Sequence, residues 1–288
     1  MDLPVAEVRA IVERALAEDI AWGDMTSNTL IPSDSRAVGR VLAKSVGVLA
    51  GIEVLVLAFQ SVDLSVQVEI RVPDGSPFQE GDVLARVEGP ARSLLSAERT
   101  ALNLVQRMTG IASATASYVE AVQGLPARIV DTRKTAPGLR ILDKYAVRMG
   151  GGHNHRYNLA DGILIKDNHL EMLAALGYSL KDVLERAHAQ APHMIKIEIE
   201  VDTLEQCREA VEAGADLILL DNMSVEQMRE AVQFIGGRAL TEASGGVGLE
   251  TVRAIAETGV DLISVGKLTH SVQAADISLD FEGTGGNP

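Results

Sequence analysis

The 288-residue chain carries 26 Lys and Arg residues against 40 Asp and Glu residues, a formal net charge of −14 at pH 7. This acidity, with only 3% aromatic residues, excludes general nucleic-acid binding, which needs a basic face and stacking platforms. A single cysteine, Cys207, excludes a disulfide framework within the chain, and no stretch reaches the ~18 uncharged apolar residues of a membrane span, so we expect a cytoplasmic protein.

The first part of the chain predicts a small α+β domain. A charged amphipathic helix opens it, and residues 37–50 predict short strands that are followed by a helix over 51–60. Residues 66–72 alternate apolar and polar side chains, and turn residues separate them from the apolar segment 83–87, as in an antiparallel sheet. We assign residues 1–105 to this N-terminal domain and expect residues 272–288 to complete it.

The pattern changes after a long helix predicted over residues 96–122, with Ser96 or Ser93 as its N-cap. Apolar strands then alternate with amphipathic helices, which is typical of a parallel sheet. The strands are predicted near residues 128–130, 162–165, 194–201, 216–220, 238–241 and 261–265, with helices at 203–213, 224–234 and 249–257. At least six such units favour a closed β/α barrel over residues 106–271, and residues 283–288 are predicted to be disordered.

A basic segment interrupts this acidic chain between Asp131 and Lys166. It carries seven Lys and Arg residues against three acids, and Gly150–Gly152 leads into His153-Asn154-His155-Arg156. A solvated surface loop is one interpretation. The alternative is a site for a small polyanion, which a flexible glycine run beside dense cations would suit. The second is favoured because charges at the ends of buried barrel strands usually form a site.

Other strand ends carry carboxylates and glycines. Glu198 and Glu200 alternate along one strand and therefore share a face; Glu200 is nearer the carboxyl end and is favoured for the site, while Glu198 is expected to pair with a lysine. The glycine turns after Ser244 and Val265 can bind phosphate through backbone N–H groups. Carboxylates suit Mg²⁺ and sugar hydroxyls, so the combination predicts transfer chemistry on a phosphorylated sugar.

The chain resembles the quinolinate phosphoribosyltransferases nearly end to end. The motifs that carry this resemblance are GDMT (23–26), ERTALN (98–103), DTRKTAPGLR (131–140), GGGHNHR (150–156), IKDNH (165–169), EIEV (198–201), LLDN (219–222), EASGG (242–246) and ISVGKLTHS (263–271). The resemblance implies an irregular β/α barrel, an N-terminal α+β sandwich domain, and a homodimer or larger assembly in which Arg99 reaches the partner's site. It also implies phosphoribosyl transfer from phosphoribosyl pyrophosphate to quinolinate, with Mg²⁺ and release of CO₂, in NAD biosynthesis.

The resemblance also implies roles for individual residues. Arg99, Arg133, His155, Arg156 and Lys166 would clamp the two quinolinate carboxylates, while Lys134 and Lys166 would neutralise carboxylates or the leaving pyrophosphate. Glu200 and Asp221 would hold Mg²⁺ or the ribose hydroxyls and stabilise a cationic ribose. The full predicted substrate-binding set is Arg99, Thr132, Arg133, Lys134, His155, Arg156, Lys166, Glu200, Asp221, Ser244, Gly245, Gly246, Val265, Gly266, Lys267 and His270, of which Lys134, Lys166, Glu200 and Asp221 are the predicted catalytic residues.

Three alternative functions are open at this point. A Schiff-base aldolase would use Lys166, which ends a barrel strand, as its amine nucleophile. A paralogue of the same fold would use another acceptor base and would lack the basic clamp that this chain retains. A non-catalytic sensor of a phosphorylated metabolite would not need both Glu200 and Asp221.

Overall fold

The computed structural model describes residues 3–282 and divides the chain into two compact units. Unit 1 comprises Met1–Ala116, Thr135–Gly151 and Leu268–Pro288, as far as they are described, and unit 2 comprises Ser117–Lys134 and Gly152–Lys267. The boundary therefore falls later than the predicted one, and residues 135–151 belong to unit 1. The disorder predicted for residues 283–288 lies outside the described residues.

Unit 1 is built on an antiparallel sheet. Its elements are α1 (Val5–Ile20), α2 (Met25–Leu30), β1 (Arg36–Ala43), β2 (Gly47–Val48), α3 (Ile52–Val62), β3 (Gln67–Ile70), β4 (Pro77–Phe78), β5 (Val83–Pro90), most of α4 (Ala91–Ala121), α5 (Arg140–Met149), most of α11 (Lys267–His270) and β12 (Ile277–Phe281). The sheet has the order β12-β1-β5-β3, and β2 pairs separately with β4. Because β12 pairs with β1, the last described strand belongs to the same antiparallel sheet as the first strand of the chain.

Helix α4 begins at Ala91, five residues before the predicted start, so neither predicted serine is its N-cap. Ser93 donates its hydroxyl to Asp63 at 2.9 Å, and Ser96 donates to Asp24 at 3.0 Å. Both serines thus lie within the helix and bond to carboxylates from other elements. A serine ahead of an apolar run is a capping signal only when its hydroxyl is free to turn back to the helix backbone.

Residues 135–151 pack within unit 1 through close and polar contacts. Arg107 on α4 makes a two-pronged ion pair with the fully buried Asp143 on α5, at 2.9 and 2.8 Å. A Cβ at Gly150 would overlap with the backbone of Ala112 and the side chain of Thr115. Gly150, the first glycine of the run that was predicted to be flexible, is therefore needed because a larger residue would not fit there.

Unit 2 contains a parallel sheet with the order β6-β11-β10-β9-β8-β7. Its strands are β6 (Arg128–Val130), β7 (Ile163–Ile165), β8 (Ile197–Val201), β9 (Leu217–Asp221), β10 (Leu240–Ser244) and β11 (Leu262–Ser264). β6 and β7 are consecutive in the chain but lie at opposite ends of this order, and β6 carries a parallel bridge from Val130 to His153. The strands thus form an irregular β/α barrel, in which no ladder joins β6 to β7 among the described residues.

The helices of unit 2 lie between these strands. They are α6 (Asp167–Ala174), α7 (Leu180–Gln190), α8 (Leu204–Glu212), α9 (Val225–Ile235) and α10 (Val252–Ala256). Thr203 and Ser224 cap α8 and α9 with capping boxes, so both helices begin within two residues of the predicted position. Across residues 3–282, no helix combines the length and the apolar character needed to cross a bilayer.

Candidate active site

The carboxyl ends of the parallel strands bring the predicted polar residues of unit 2 to one edge of the sheet. In the register, Glu200 on β8 is opposite Leu219 on β9, and Leu219 is opposite Glu242 on β10. Two residues further along the same two strands, Asp221 is opposite Ser244. Because residues that pair across parallel strands face the same side, these three carboxylates and Ser244 share one face.

Glu200 lies between a cation and a second carboxylate. Lys166, directly after β7, places its Nζ 3.5 Å from Glu200 Oε2. Burial is the main cause that raises the pKa of the Glu200 carboxyl; the Lys166 ammonium opposes it, and the negative charge of Asp221 adds to it. Glu200 and Asp221 are therefore close enough to repel each other, as two ligands of one cation would.

The turn after β10 depends on glycine. Gly245 and Gly246 have φ angles of 92° and 61°, a region that favours glycine, and a Cβ at Gly245 would overlap with the Asn222 side chain. Asn222 itself has φ 53°, and it donates from Nδ2 to Asp221 at 2.6 Å and from its backbone N to Ser244 at 3.0 Å. Asn222 thus connects the turn after β9 with the turn after β10 through hydrogen bonds next to Asp221.

Two guanidinium groups of the basic segment lie near each other in unit 2. Burial, followed by the positive charge of Arg133, lowers the pKa of the Arg156 guanidinium, and Arg156 donates to the Gly162 carbonyl at 3.1 Å. The Nε of Arg133 is buried and has no hydrogen-bond partner among the described residues. Closely spaced cations with an unused donor suit a polyanionic ligand.

Four acidic or amide residues that the sequence analysis did not assign to the site lie within the basic segment or beside it. Asp131 is fully buried and accepts from Asn154 Nδ2 at 2.6 Å and from the backbone N of His155 at 2.9 Å. Glu198 and Glu242 are also buried, and the imidazole of His155 lies between them. The period-two spacing from Ser244 back to Glu242 was the signal that could have placed Glu242 on the same face.

The expectation that Glu198 pairs with a lysine is wrong. Its oxygen Oε2 lies 3.1 Å from Nε2 of His155, and Lys166 pairs with Glu200 instead. The strand alternation was sound, but the sequence could not indicate that the loop after α5 carries a histidine to this position.

The remaining predicted residues divide between the units. In unit 2, Thr132 Oγ1 accepts from the backbone N of Lys134 at 3.1 Å, Val265 is buried, and Lys267 is exposed at the start of α11. The predicted residues of unit 2 that lie at strand ends or in the basic segment are Thr132, Arg133, Lys134, His155, Arg156, Lys166, Glu200, Asp221, Ser244, Gly245, Gly246, Val265, Gly266 and Lys267.

Arg99 and His270 belong to unit 1. The Arg99 side chain is 61% exposed, and its guanidinium lies 4.0 Å from Glu98. His270 Nδ1 lies 2.7 Å from Ser271 Oγ.

Comparisons with known proteins cover nearly the whole chain. Residues 24–109 match the family described as the quinolinate phosphoribosyl transferase N-terminal domain, and residues 111–280 match its C-terminal domain. The chain is 44% identical over 274 residues to a probable nicotinate-nucleotide pyrophosphorylase [carboxylating] of Bacillus subtilis, covering 95% of this chain and 93% of that protein. It is 47% identical over 280 residues to the nicotinate-nucleotide pyrophosphorylase [carboxylating] of Mycobacterium leprae, covering 95% and 96%.

Solved structures agree with the sequence relatives. The crystal structure of NadC from Streptococcus pyogenes superposes with a TM-score of 0.92 at 40% identity, covering 97% of this chain and 98% of that one. The fold expected from the sequence, an irregular β/α barrel with an antiparallel-sheet domain, is confirmed.

Proposed function

Because the chain belongs to the quinolinate phosphoribosyltransferase family, we propose that it transfers the phosphoribosyl group of phosphoribosyl pyrophosphate to quinolinate. The products would be nicotinate mononucleotide, pyrophosphate and CO₂, a step in NAD biosynthesis, which makes the enzyme a pentosyltransferase. The observation that carries this proposal is the match of both family domains across residues 24–280, together with relatives of at least 44% identity over 95% of the chain.

The cations of unit 2 support a dicarboxylate acceptor. Arg133 and Arg156 interact electrostatically, and the Nε of Arg133 is itself buried and has no hydrogen-bond partner among the described residues. A guanidinium binds a carboxylate through two parallel hydrogen bonds, which orients a planar ring as well as holding it. Lys134 is an exposed residue of the same segment, and we assign it to a carboxylate or to the leaving pyrophosphate.

The glycine turns support binding of the 5′-phosphate of the donor. Successive backbone N–H groups in left-handed turns form a concave site for an anion, and Gly245 and Gly246 both have positive φ angles. We assign the phosphate to the turns that contain Ser244, Gly245, Gly246 and Val265-Gly266-Lys267, since they follow neighbouring strands β10 and β11. Phosphate sites after the last strands are frequent in β/α barrels.

Glu200 and Asp221 fit a magnesium ion. They offer hard carboxylate oxygens from adjacent strands, and the burial and mutual repulsion that raise the pKa of Glu200 would be relieved by a cation between them. When bound, Mg²⁺ supplies charge neutralisation for the pyrophosphate of the donor.

The charges of this site match those that develop during the reaction. Loss of pyrophosphate leaves positive charge on the ribose ring, and the carboxylates of Glu200 and Asp221 would stabilise that charge. Lys166, whose ammonium group lies 3.5 Å from Glu200, would neutralise the negative charge of pyrophosphate or of a substrate carboxylate. Once the pyridine nitrogen bonds to the ribose, the adjacent carboxylate leaves as CO₂, and the ring carbon keeps the electron pair until it takes up a proton from water. The protein mainly orients the two substrates.

We propose a homodimer, or a larger assembly built from it, in which Arg99 serves the site of the partner subunit. Arg99 is exposed on α4 of unit 1, and its contact with Glu98 at 4.0 Å is too long to hold the guanidinium strongly. An exposed arginine within a family motif is well suited to bind a carboxylate of quinolinate across a subunit interface.

A Schiff-base aldolase is the less favoured alternative. A lysine nucleophile must lose its proton, whereas Lys166 forms an ion pair with Glu200 and is 47% exposed.

The direct test is a paired assay with purified protein, phosphoribosyl pyrophosphate and Mg²⁺, using either quinolinate or nicotinate as the acceptor. We expect nicotinate mononucleotide and equimolar CO₂ from quinolinate and no product from nicotinate. Product from neither acceptor would contradict the proposal and would favour a paralogue with another acceptor base. Trapping of Lys166 by borohydride with a carbonyl substrate would favour the aldolase.

A further inference from the structure

Little in the packing of unit 2 fixes the position of Lys166, which lies between β7 and α6. Strand β7 is at one end of the sheet order and pairs only with β8 among the described residues. Of its three residues, only Ile165 is buried. Helix α6, which begins directly after Lys166, has no buried side chain. Because neither element is anchored by a broad apolar face, polar contacts must hold the backbone of Lys166 in place.

The imidazole of His169, at the third position of α6, makes such a contact. Its Nδ1 accepts a hydrogen bond of 2.9 Å from the backbone N–H of Lys166. The backbone N–H of His169 donates to the Lys166 carbonyl, also at 2.9 Å. A side chain at this position that accepts from the residue before the helix forms one half of a capping box, and Glu or Gln is the usual residue there.

Histidine supplies this contact without a negative charge. Glu at position 169 could accept from the same N–H group, but its carboxylate would lie close to the cation that we assign to an anion of the substrates. An imidazole accepts through an unprotonated ring nitrogen and adds no negative charge. Because Nδ1 accepts from Lys166, the ring proton belongs on Nε2.

We propose that His169 is a positioning residue, which holds the backbone of Lys166 and thereby sets where its ammonium group meets Glu200 and the substrate anion. Lys166 Nζ lies 3.5 Å from Glu200 Oε2, and this distance depends on where the lysine backbone is held. The role requires an acceptor without negative charge at position 169. This inference rests on the proposed function, since that function assigns Lys166 to pyrophosphate or to a substrate carboxylate.

Direct binding of a substrate by His169 is the competing interpretation. The residue is exposed, and Nε2 takes no part in the contact with Lys166. The two roles differ in one measurable respect. If His169 acts through Lys166, the effect of removing the imidazole disappears once the lysine side chain is gone, whereas the effect of removing a direct ligand remains.

The first experiment needs no substrate, so its result does not depend on the proposed reaction. In protein labelled with ¹⁵N-histidine, the ring signals of His169 are identified among the six histidines by their loss in His169→Gln. At pH 8 we expect a proton on Nε2 and none on Nδ1. A proton on Nδ1 would overturn the proposal, because that nitrogen could not then accept from Lys166.

Three substitutions at position 169 separate the acceptor from its charge. His169→Gln keeps a neutral acceptor and should retain kcat/KM for quinolinate within about 3-fold, whereas His169→Ala has no acceptor and should lower it by ~10-fold or more. His169→Glu keeps the acceptor but adds a negative charge. At low ionic strength it should bind the anionic substrates ~3-fold or more weakly than His169→Gln, and salt should reduce the difference.

The matched controls are His193→Ala and His193→Glu, at an exposed histidine between α7 and β8, and both should have wild-type activity. Equal substrate affinities of His169→Glu and His169→Gln at low ionic strength would contradict the need for an acceptor without negative charge. If His169→Ala does not fold, this comparison remains decisive, since neither variant removes the acceptor.

A double-mutant cycle with Lys166→Ala identifies the route of the effect. In the Lys166→Ala background, His169→Ala should change the residual kcat/KM by less than about 2-fold, because no ammonium group is left to position. A loss of ~10-fold in both backgrounds would show that His169 acts on the substrate itself and would contradict the proposal. So would wild-type activity in His169→Ala, or equal losses in His169→Ala and His169→Gln. If the wild type does not use quinolinate, the proposed function fails, and the ¹⁵N measurement still decides whether His169 holds Lys166.

Discussion

Lys166 Nζ lies 3.5 Å from Glu200 Oε2. This ion pair connects the residue directly after β7 with the penultimate residue of β8. The pair combines a cation for substrate anions with a carboxylate for the developing ribose charge. Lys166 and Glu200 thus lie side by side, so the group proposed to bind substrate anions is next to the group proposed to stabilise the cationic ribose. A site arranged in this way is expected to act mainly through fixed charges.

Replacing the carboxylates should affect turnover more than acceptor binding. We expect Glu200→Gln and Asp221→Asn each to lower kcat by ~100-fold or more, because they remove charge that is needed in the transition state. The dissociation constant for quinolinate, measured by calorimetry, should change much less. A large loss of quinolinate affinity with unchanged kcat would contradict this role. Glu205→Gln, an exposed change on α8, is the control.

Mixed subunits test the shared site. Arg99→Ala and Lys166→Ala should each be nearly inactive alone, because both remove a proposed contact to a substrate. If Arg99 serves the partner's site, a reassembled mixture of the two should regain part of the wild-type kcat, since some sites then contain neither substitution. Absence of recovery in a mixture shown by native mass spectrometry to contain mixed assemblies would count against the shared site.

The turn after β10 should tolerate no side chain at Gly245. In Gly245→Ala the new Cβ overlaps with Asn222 and requires a positive φ, so the turn must shift. We expect KM for phosphoribosyl pyrophosphate to rise by ~10-fold or more, corresponding to at least about 1.4 kcal/mol of lost phosphate binding. Gly237→Ala is the control, since Gly237 also has a positive φ of 77° but no atom within 4 Å of the new Cβ.

The buried ion pair between Arg107 and Asp143 should stabilise unit 1. In Arg107→Met the Asp143 carboxylate stays buried, with the Ala136 N–H at 3.1 Å as one remaining donor. We expect a loss of about 3–5 kcal/mol in the free energy of unfolding, measured in urea. Arg71→Met breaks an exposed pair with Glu69 and should cost about 1 kcal/mol or less. Equal losses in the two variants would contradict a special role for the buried pair.

The stability of the protein should fall as the pH rises through the range in which Glu242 titrates. Burial first, then the negative charge of Glu198, raises the pKa of Glu242 to about 7; His155 opposes this shift and Asp131 adds to it. Between the ordinary carboxyl value and about 7, the folded protein keeps a proton that the unfolded chain has lost. This contribution is therefore full at acidic pH and is lost as the pH rises through about 7.

Glu242→Gln removes this titration. The decrease in Tm between pH 5 and pH 8 should be smaller in the variant than in the wild type, by about 2–4 °C for each kcal/mol of linkage. Parallel Tm profiles for the two proteins would show that Glu242 does not titrate in this range. Glu209→Gln, an exposed change on α8, serves as the matched control.

Local patterns located most elements of the barrel. Strand β6 was predicted with its observed bounds, and helices α8 and α9 were predicted to within two residues of their observed ends. These signals are short-range, because a cap or an alternating strand is defined by neighbours within a few positions. The start of α4 was missed for the opposite reason, since its serines bond to Asp63 and Asp24, which are distant in sequence.

The sequence by itself determined the family, the two kinds of sheet, and the set of charged residues at the strand ends. It did so because motif spacing and hydrophobic period are properties of the chain alone. Only the tertiary structure decided that Glu198 meets His155 across 43 positions and that Lys166 pairs with Glu200. Such contacts depend on the register of the strands and on the course of a loop, and neither is encoded in the spacing of nearby residues.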